Sequence, residues 1–188
     1  MNARIDYACI PTSIGIVLVS STPFGVFRIA LGDDELELAA QLARDLPFAT
    51  LARDDVALAA QCTAIATYVE GRSDALALPL DLRATAFRRR VWDALLSIPR
   101  GTTRSYAAVA RSIGMPGATR AVAGACAANP VAIAIPCHRV IESSGRLGGY
   151  RWGVARKRVL LARETQSVAL RAEILLPIAG MSRIESLR

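Results

Sequence analysis

Two β-rich runs, Ile14 to Ser20 and Phe24 to Leu31, flank Ser21-Thr22-Pro23, and the pattern predicts a hairpin. Asp33 and Asp34 then precede Leu36, Leu38, Ala39, Leu42 and Leu46. That is an apolar stripe at helical spacing with acids at the end the helix dipole favours, and Pro47 stops it. A second helix is predicted from about Asp54 to Glu70, ending near Gly71, and Ala75 to Leu82 returns in extended form around Pro79. Past Arg83 the pattern turns helical. Phe87, Val91, Trp92, Leu95 and Leu96 line one face, closed by Pro99-Arg100-Gly101. Tyr106, Val109, Ala110 and Ile113 recur at i, i+3, i+4 and i+7 from a Ser105 cap, with Gly114 just past the end. After Met115-Pro116-Gly117 comes a further helix, Ala118 to about Ala128, ended by Asn129-Pro130. Helix, short glycine-containing turn and helix make a helix-turn-helix candidate. Val131 to Ile135 is an unbroken apolar run, predicted as a buried strand that leads into Pro136-Cys137-His138.

With 188 residues the chain has room for one domain of ordinary size or two small lobes sharing a core. Cys9, Cys62, Cys126 and Cys137 show no paired spacing and His138 is the sole histidine, which argues against a disulfide framework and against a zinc site. No metal is expected. No apolar run is long enough to cross a bilayer, and the N-terminus lacks the basic start and apolar core of a secretory signal, so a cytoplasmic location is expected. The net charge of +7 is divided unevenly. Residues 1 to 83 carry 6 Arg against 11 acids, a balance of −5, whereas residues 84 to 188 carry 17 Lys or Arg against 5 acids, a balance of +12. A basic half joined to an acidic one fits a lobe that meets a polyanion beside a lobe that supports it; a soluble arginine-rich face fits the same numbers.

The chemistry concentrates in the basic half. The 118–128 helix offers one long polar side chain, Arg120, and otherwise small ones, so it lacks the several Arg, Asn or Gln side chains that read base edges. Small residues let a helix backbone approach DNA closely with Arg120 as its single probe, and they equally let a helix pack tightly on another helix. Cys137 beside His138 supplies a nucleophile and a base, with the imidazole expected to draw the thiol pKa toward neutrality. A buried cysteine next to a surface histidine would give the same dipeptide. Cys9 and Cys62 lie among apolar neighbours and read as inert, and Cys126 reads as packing.

Ile135-Pro136-Cys137-His138-Arg139-Val140 resembles the active-site motif of the O6-alkylguanine-DNA alkyltransferases, the methylated-DNA–protein-cysteine methyltransferases. The likeness extends to Thr85-Ala86-Phe87 with Val91-Trp92, to Ser105-Tyr106, Arg120-Ala121-Val122-Ala123 and Asn129, and to Gly149-Tyr150-Arg151-Trp152-Gly153 and Leu160-Leu161-Ala162-Arg163-Glu164. It covers about residues 5 to 165 and is nearest to the catalytic half of the bacterial Ada-type members.

The resemblance implies an α/β chain. An N-terminal ribonuclease-H-like lobe with a small sheet and helices would span 1–83, a mainly helical, winged-helix-like helix-turn-helix lobe 84–165, and a C-terminal extension of unassigned role 166–188. It implies single-turnover transfer of a methyl or other small alkyl group from O6-alkylguanine, with O4-alkylthymine as a further substrate, in flipped-out bases of double-stranded DNA. The chain would act as a monomer without cofactor. Cys137 would accept the alkyl group, His138 would take its proton through water, and Glu164 would orient His138. Asn129 would fix the turn presenting the cysteine, and Tyr106 would protonate the departing guanine. Arg120 would fill the gap left by the extruded base, with Thr119, Ala121, Ala123, Gly124 and Ser105 against the DNA. Backbone groups of Cys137, Val140 and Arg151 would read the guanine edge, and Tyr150 and Trp152 would wall the pocket. Trp152 stands where some members have glycine, so bulky adducts are expected to fit poorly. The cysteine-rich regulatory module of full-length Ada-type members has no counterpart in the sequence, and no regulatory role is expected. Two other readings compete: a binder that marks lesions without repairing them, which the presence of Cys137 disfavours, and a helix-turn-helix regulator with an oxidant-sensing cysteine.

Overall fold

A computed structural model describes residues 4–175, with side chains to 169. Residues 176–188, including the end of the apolar stretch Ile174 to Ile178, lie outside the described residues. The first lobe is a sheet in the order β3-β2-β1-β4. Strands β1 (Arg4–Thr12), β2 (Gly15–Thr22) and β3 (Gly25–Gly32) run antiparallel, and β4 (Thr50–Arg53) pairs with β1 in parallel. The expected hairpin is β2–β3, with Val17 opposite Leu31 and Val19 opposite Ile29. Helix α1 (Glu35–Asp45) starts where the carboxylate of Asp34 accepts from the Glu37 amide at 2.9 Å. It lays Leu38 and Leu42 on Leu18 and Cys9, one face of the sheet. Alternation along the strands sends Val17, Val19, Val26 and Ile29 to the other face. There they join helix α2 (Ala59–Val69) and the second lobe in one core.

The second lobe contains α3 (Ala86–Leu96), a short strand β5 (Arg104–Ser105), α4 (Tyr106–Ser112), α5 (Thr119–Ala127), β6 (Val140–Ile141) and α6 (Val154–Leu175). Thr85 caps α3 and Ser105 caps α4, each through its hydroxyl to the amide three residues on. Trp92 of α3 donates its indole N–H to the Ala125 carbonyl of α5 at 2.9 Å and so fixes the second helix of the pair. Helix α6 runs unbroken through residue 165 into the C-terminal extension.

Three expectations need correction. Helix α2 begins at Ala59, not near Asp54, because the Asp54 carboxylate accepts from the Ala57 amide and holds a turn first. Leu96 does not belong to the buried face of α3; it is 52% exposed. Val131 to Ile135 is buried as expected but is no strand: Ala134 N–H donates to Ala132 O at 2.7 Å, and Ile133 takes a left-handed φ of 71°.

This turn is tied to the sheet. Ile29 of β3 donates its amide to Pro130 O at 3.0 Å and accepts from Ala132 N–H at 3.0 Å. The same strand edge takes the extended 79–81 segment through Val26 N–H to Pro79 O and Asp81 N–H to Val26 O. Gly25 permits that approach, since a Cβ there would lie 2.4 Å from the Pro79 carbonyl oxygen. The 79–81 segment and the 130–132 turn of the second lobe thus cover the open edge of the first-lobe sheet.

Candidate active site

Residues 129–141 form a turn, a 3₁₀ turn and a short strand whose side chains point into the core. Asn129, wholly buried at the end of α5, organises them. Its Oδ1 accepts from Val131 N–H at 3.0 Å, and its Nδ2 donates to Ile135 O at 2.9 Å and to Cys137 Sγ at 3.2 Å. One amide therefore closes the turn and seats the sulfur. Cys137 opens the 3₁₀ turn Cys137–Arg139, which projects His138 and Arg139 toward α6.

Glu164 of α6 receives both. Its Oε1 lies 2.9 Å from His138 Nε2, and Arg139 donates Nε to Oε2 and Nη2 to Oε1, each at 2.9 Å. Tyr68 of α2 donates to the same Oε1 at 3.3 Å and accepts from Arg139 Nη2 at 2.8 Å. Arg139 Nη1 spends its proton on Ile98 O at 2.6 Å. Burial disfavours an ionised Glu164, yet the bonds from His138 and Arg139 outweigh it and hold the carboxyl well below its usual range. The ionised carboxylate accepts from Nε2–H of a neutral imidazole. His138 Nδ1 then carries the free lone pair, and it is buried without a hydrogen-bond partner among the described residues.

Cys137 is 4% exposed and His138 is fully buried, so the surface histidine considered from sequence is excluded. The expectation for the thiol is corrected as well. Burial pushes Cys137 up to about 11, and the Asn129 amide and Lys157 pull it back only in part. Burial also lowers His138 against the pull of Glu164, so the resting pair is neutral thiol beside neutral imidazole. Burial lifts Cys9 and Cys126 to about 12 and raises Cys62, which makes all three poor nucleophiles.

The remaining expected residues surround this centre. Tyr106, the first residue of α4, is half-buried and raised by burial to about 12, so its phenol keeps its proton. Gly148, at φ 66°, brings the loop between β6 and α6 beside it, where a Cβ would sit 3.5 Å from the Tyr106 hydroxyl. The same loop carries Tyr150 edge-on to Trp152, with ring centroids 5.2 Å apart, and Arg151 on the exposed side. Arg151 and Trp152 line a cavity of about 110 Å³ against β3. Both backbone groups of Val140 are engaged: its N–H meets Cys137 O, and its carbonyl accepts from Lys157 Nζ at 2.6 Å. A carbonyl has a second lone pair, so it can still accept.

On α5, Arg120, Ala121 and Gly124 are exposed, with Ala123 and Thr119 partly so, while Val122, Ala125 and Cys126 face the core. No side chain caps the N-terminus of this helix. Ser105 sits at the head of the partner helix with its hydroxyl occupied as the cap.

Sequence reasoning missed Tyr68, Arg139 as a clamp, and Lys157. The last two were visible: Arg139 lies inside the motif, and Lys157 is the one lysine of the chain.

Residues 86–166 match the family described as 6-O-methylguanine DNA methyltransferase, DNA binding domain. The chain is 45% identical over 166 residues to the bifunctional transcriptional activator/DNA repair enzyme Ada of Escherichia coli, covering 88% of this chain and 47% of that protein. It thus spans about half the length of that relative. It is 38% identical to the inducible methylated-DNA–protein-cysteine methyltransferase of Bacillus subtilis, covering 79% of this chain and 84% of the relative. Among solved structures it is similar to Mycobacterium tuberculosis OGT in complex with DNA, with a TM-score of 0.74 and 36% identity over 86% of this chain and 94% of that one.

Proposed function

This chain belongs to the methylated-DNA–protein-cysteine methyltransferases, and from that premise we propose that it repairs O6-alkylguanine in double-stranded DNA by moving the alkyl group to Cys137, once per molecule. The observation that carries the reading is Asn129 bonding the Cys137 sulfur beside a neutral His138 whose Nε2–H is held by Glu164.

The O6 atom lies inside a paired stack, so the nucleotide must swing out, at a cost of roughly a few kcal/mol. Helix α5 offsets this cost. Its small exposed residues allow close approach, its uncapped N-terminus beside Thr119 suits a phosphate, and Arg120 takes the gap in the stack. The everted base enters between Tyr106, the carbonyl of Val140 and the Tyr150–Trp152 loop.

The sulfur then attacks the alkyl carbon. The S–C bond forms as the C–O6 bond breaks, and the bonding pair departs on guanine. His138 Nδ1 takes the thiol proton through water, while Tyr106 O–H donates toward the departing base. Tyr106 gives its proton to guanine and is restored by the one that His138 took, so that one proton leaves sulfur and one arrives on guanine. Because the resting thiol is raised by burial and covered, little thiolate is present at neutral pH before transfer begins. The thioether has no carbonyl for water to attack and no good leaving group, so turnover stops. Trp152 narrows the pocket, which favours methyl and other small groups on O6 of guanine, and on O4 of thymine.

Residues 1–83 serve as supporting lobe and 84–165 as the DNA-binding and transfer lobe, in a monomer acting in the cytoplasm without cofactor. Among the described residues no helix is long and apolar enough to cross a membrane.

Incubation with an O6-methylguanine duplex, followed by intact mass, tests the reading. One added methyl on the protein, absent in Cys137→Ser, is expected; bound duplex with the lesion left intact would favour a lesion-marking binder.

A further inference from the structure

The chain holds 23 lysine or arginine side chains, and a single one, Lys157, is lysine. It is fully buried. Lysine is almost never so buried without a charged partner, yet its bonded partners are carbonyls: Val140 O at 2.6 Å, Leu147 O, and Gly149 O at 3.4 Å. Three ammonium protons meet three acceptors. The acceptors all belong to β6 and the loop that forms one wall of the proposed base site. Lys157 also shares the inner face of α6 with Glu164, about two helical turns earlier. The helix therefore sets an anion against His138 and a cation on the Val140 carbonyl, three residues along the chain from Cys137.

We propose that Lys157 is a positioning residue for the transfer, its ammonium clamping the Val140, Leu147 and Gly149 carbonyls and furnishing the fixed positive charge against which the Cys137 thiolate forms. This rests on Cys137 being the alkyl acceptor. An arginine cannot replace it here. A guanidinium is a planar fork suited to carboxylates, whereas a compact ammonium can reach carbonyls in three directions. Burial lowers Lys157 from its usual value, and Cys137, Cys126 and Glu142 oppose that shift only in part. When Cys137 loses its proton, the buried ammonium gains an anionic partner in the site besides Glu142.

The test reads thiolate formation without DNA. Iodoacetamide labelling of Cys137, followed by peptide mass spectrometry from about pH 7 to 10, gives the thiolate fraction. Tyr106 of α4, Cys126 of α5 and Tyr150 of the loop interact electrostatically with this sulfur and, raised by burial, stay protonated across that range. Arg151 acts on the sulfur and Glu142 on the ammonium, and His138, lowered by burial, stays neutral there. In Lys157→Met, labelling is expected to slow about tenfold at each pH, with the rising limb displaced by about one pH unit. Repair of an O6-methylguanine duplex should fall further, because the loop is also released. Lys157→Arg should keep labelling within about threefold of wild type while repair drops about tenfold or more, separating the charge from the clamp.

Independently of folding in these variants, ¹³C,¹⁵N-lysine labelling gives one side-chain resonance in the otherwise native chain. Its titration should move to lower pH in Cys137→Ser. An unmoved titration, or an unmoved labelling profile in Lys157→Met, overturns the role of Lys157. A wild-type protein that gains no methyl at Cys137 overturns the reading beneath it.

Discussion

At the scale of single residues, the site is a set of buried polar groups that satisfy one another. Arg139 and Glu164 are 7% and 2% exposed, and each gives the other its charge partner. Removing one leaves the other buried and unpaired, so Glu164→Ala should cost about 3–5 kcal/mol in a denaturant titration as well as repair. Acid should act in the same direction. His138 is held below its usual value near 6.5, so its contribution to stability is complete above that pH and is lost as pH falls toward the folded value. Glu164 is held below its usual 4.5, so its share is lost only at lower pH. Melting temperature is therefore expected to begin falling below about pH 6.5. His138→Gln should flatten the first part of that fall, and an unchanged profile would refute the assignment. Sequence alone located the cysteine and histidine but misjudged their ionisation. Proximity of an imidazole suggested an acidic thiol, whereas burial, which no dipeptide reveals, decides the sign.

At the scale of elements, α5 is expected to act through Arg120. Arg120→Ala should reduce repair of duplex DNA far more than alkylation by free O6-benzylguanine, and equal losses in the two assays would argue against a role in base extrusion. The helices α1, α3 and α4 were legible because capping residues and apolar spacing agree at each, and α5 because Met115-Pro116-Gly117 and Asn129-Pro130 bound it. Strands β1 and β4 were not. Arg4 to Thr12 mixes polar and apolar residues in a strand paired on both sides, and Thr50 to Arg53 is too short to show a period. The 131–135 run misled because unbroken apolarity reports burial and not backbone shape. Tyr68 stayed hidden for a different reason: only the tertiary fold brings α2 to the carboxylate on α6, 96 residues away.

At the scale of the whole molecule, the charge imbalance between the halves is expected to govern DNA affinity. Arginines of the second lobe displace counterions from phosphates, so binding should weaken steeply as salt rises, and a flat profile would contradict it. The placement of the two tryptophans has another use. Trp92 is locked beneath α5 by its bond to Ala125, while Trp152 stands in the loop proposed to admit the base. The molecule thus carries a silent reference fluorophore and a reporting one. Mixing with lesion DNA should quench emission in step with base entry and ahead of the methyl gain. Trp152→Phe should abolish the signal, making each stage of a one-shot reaction visible without an added dye.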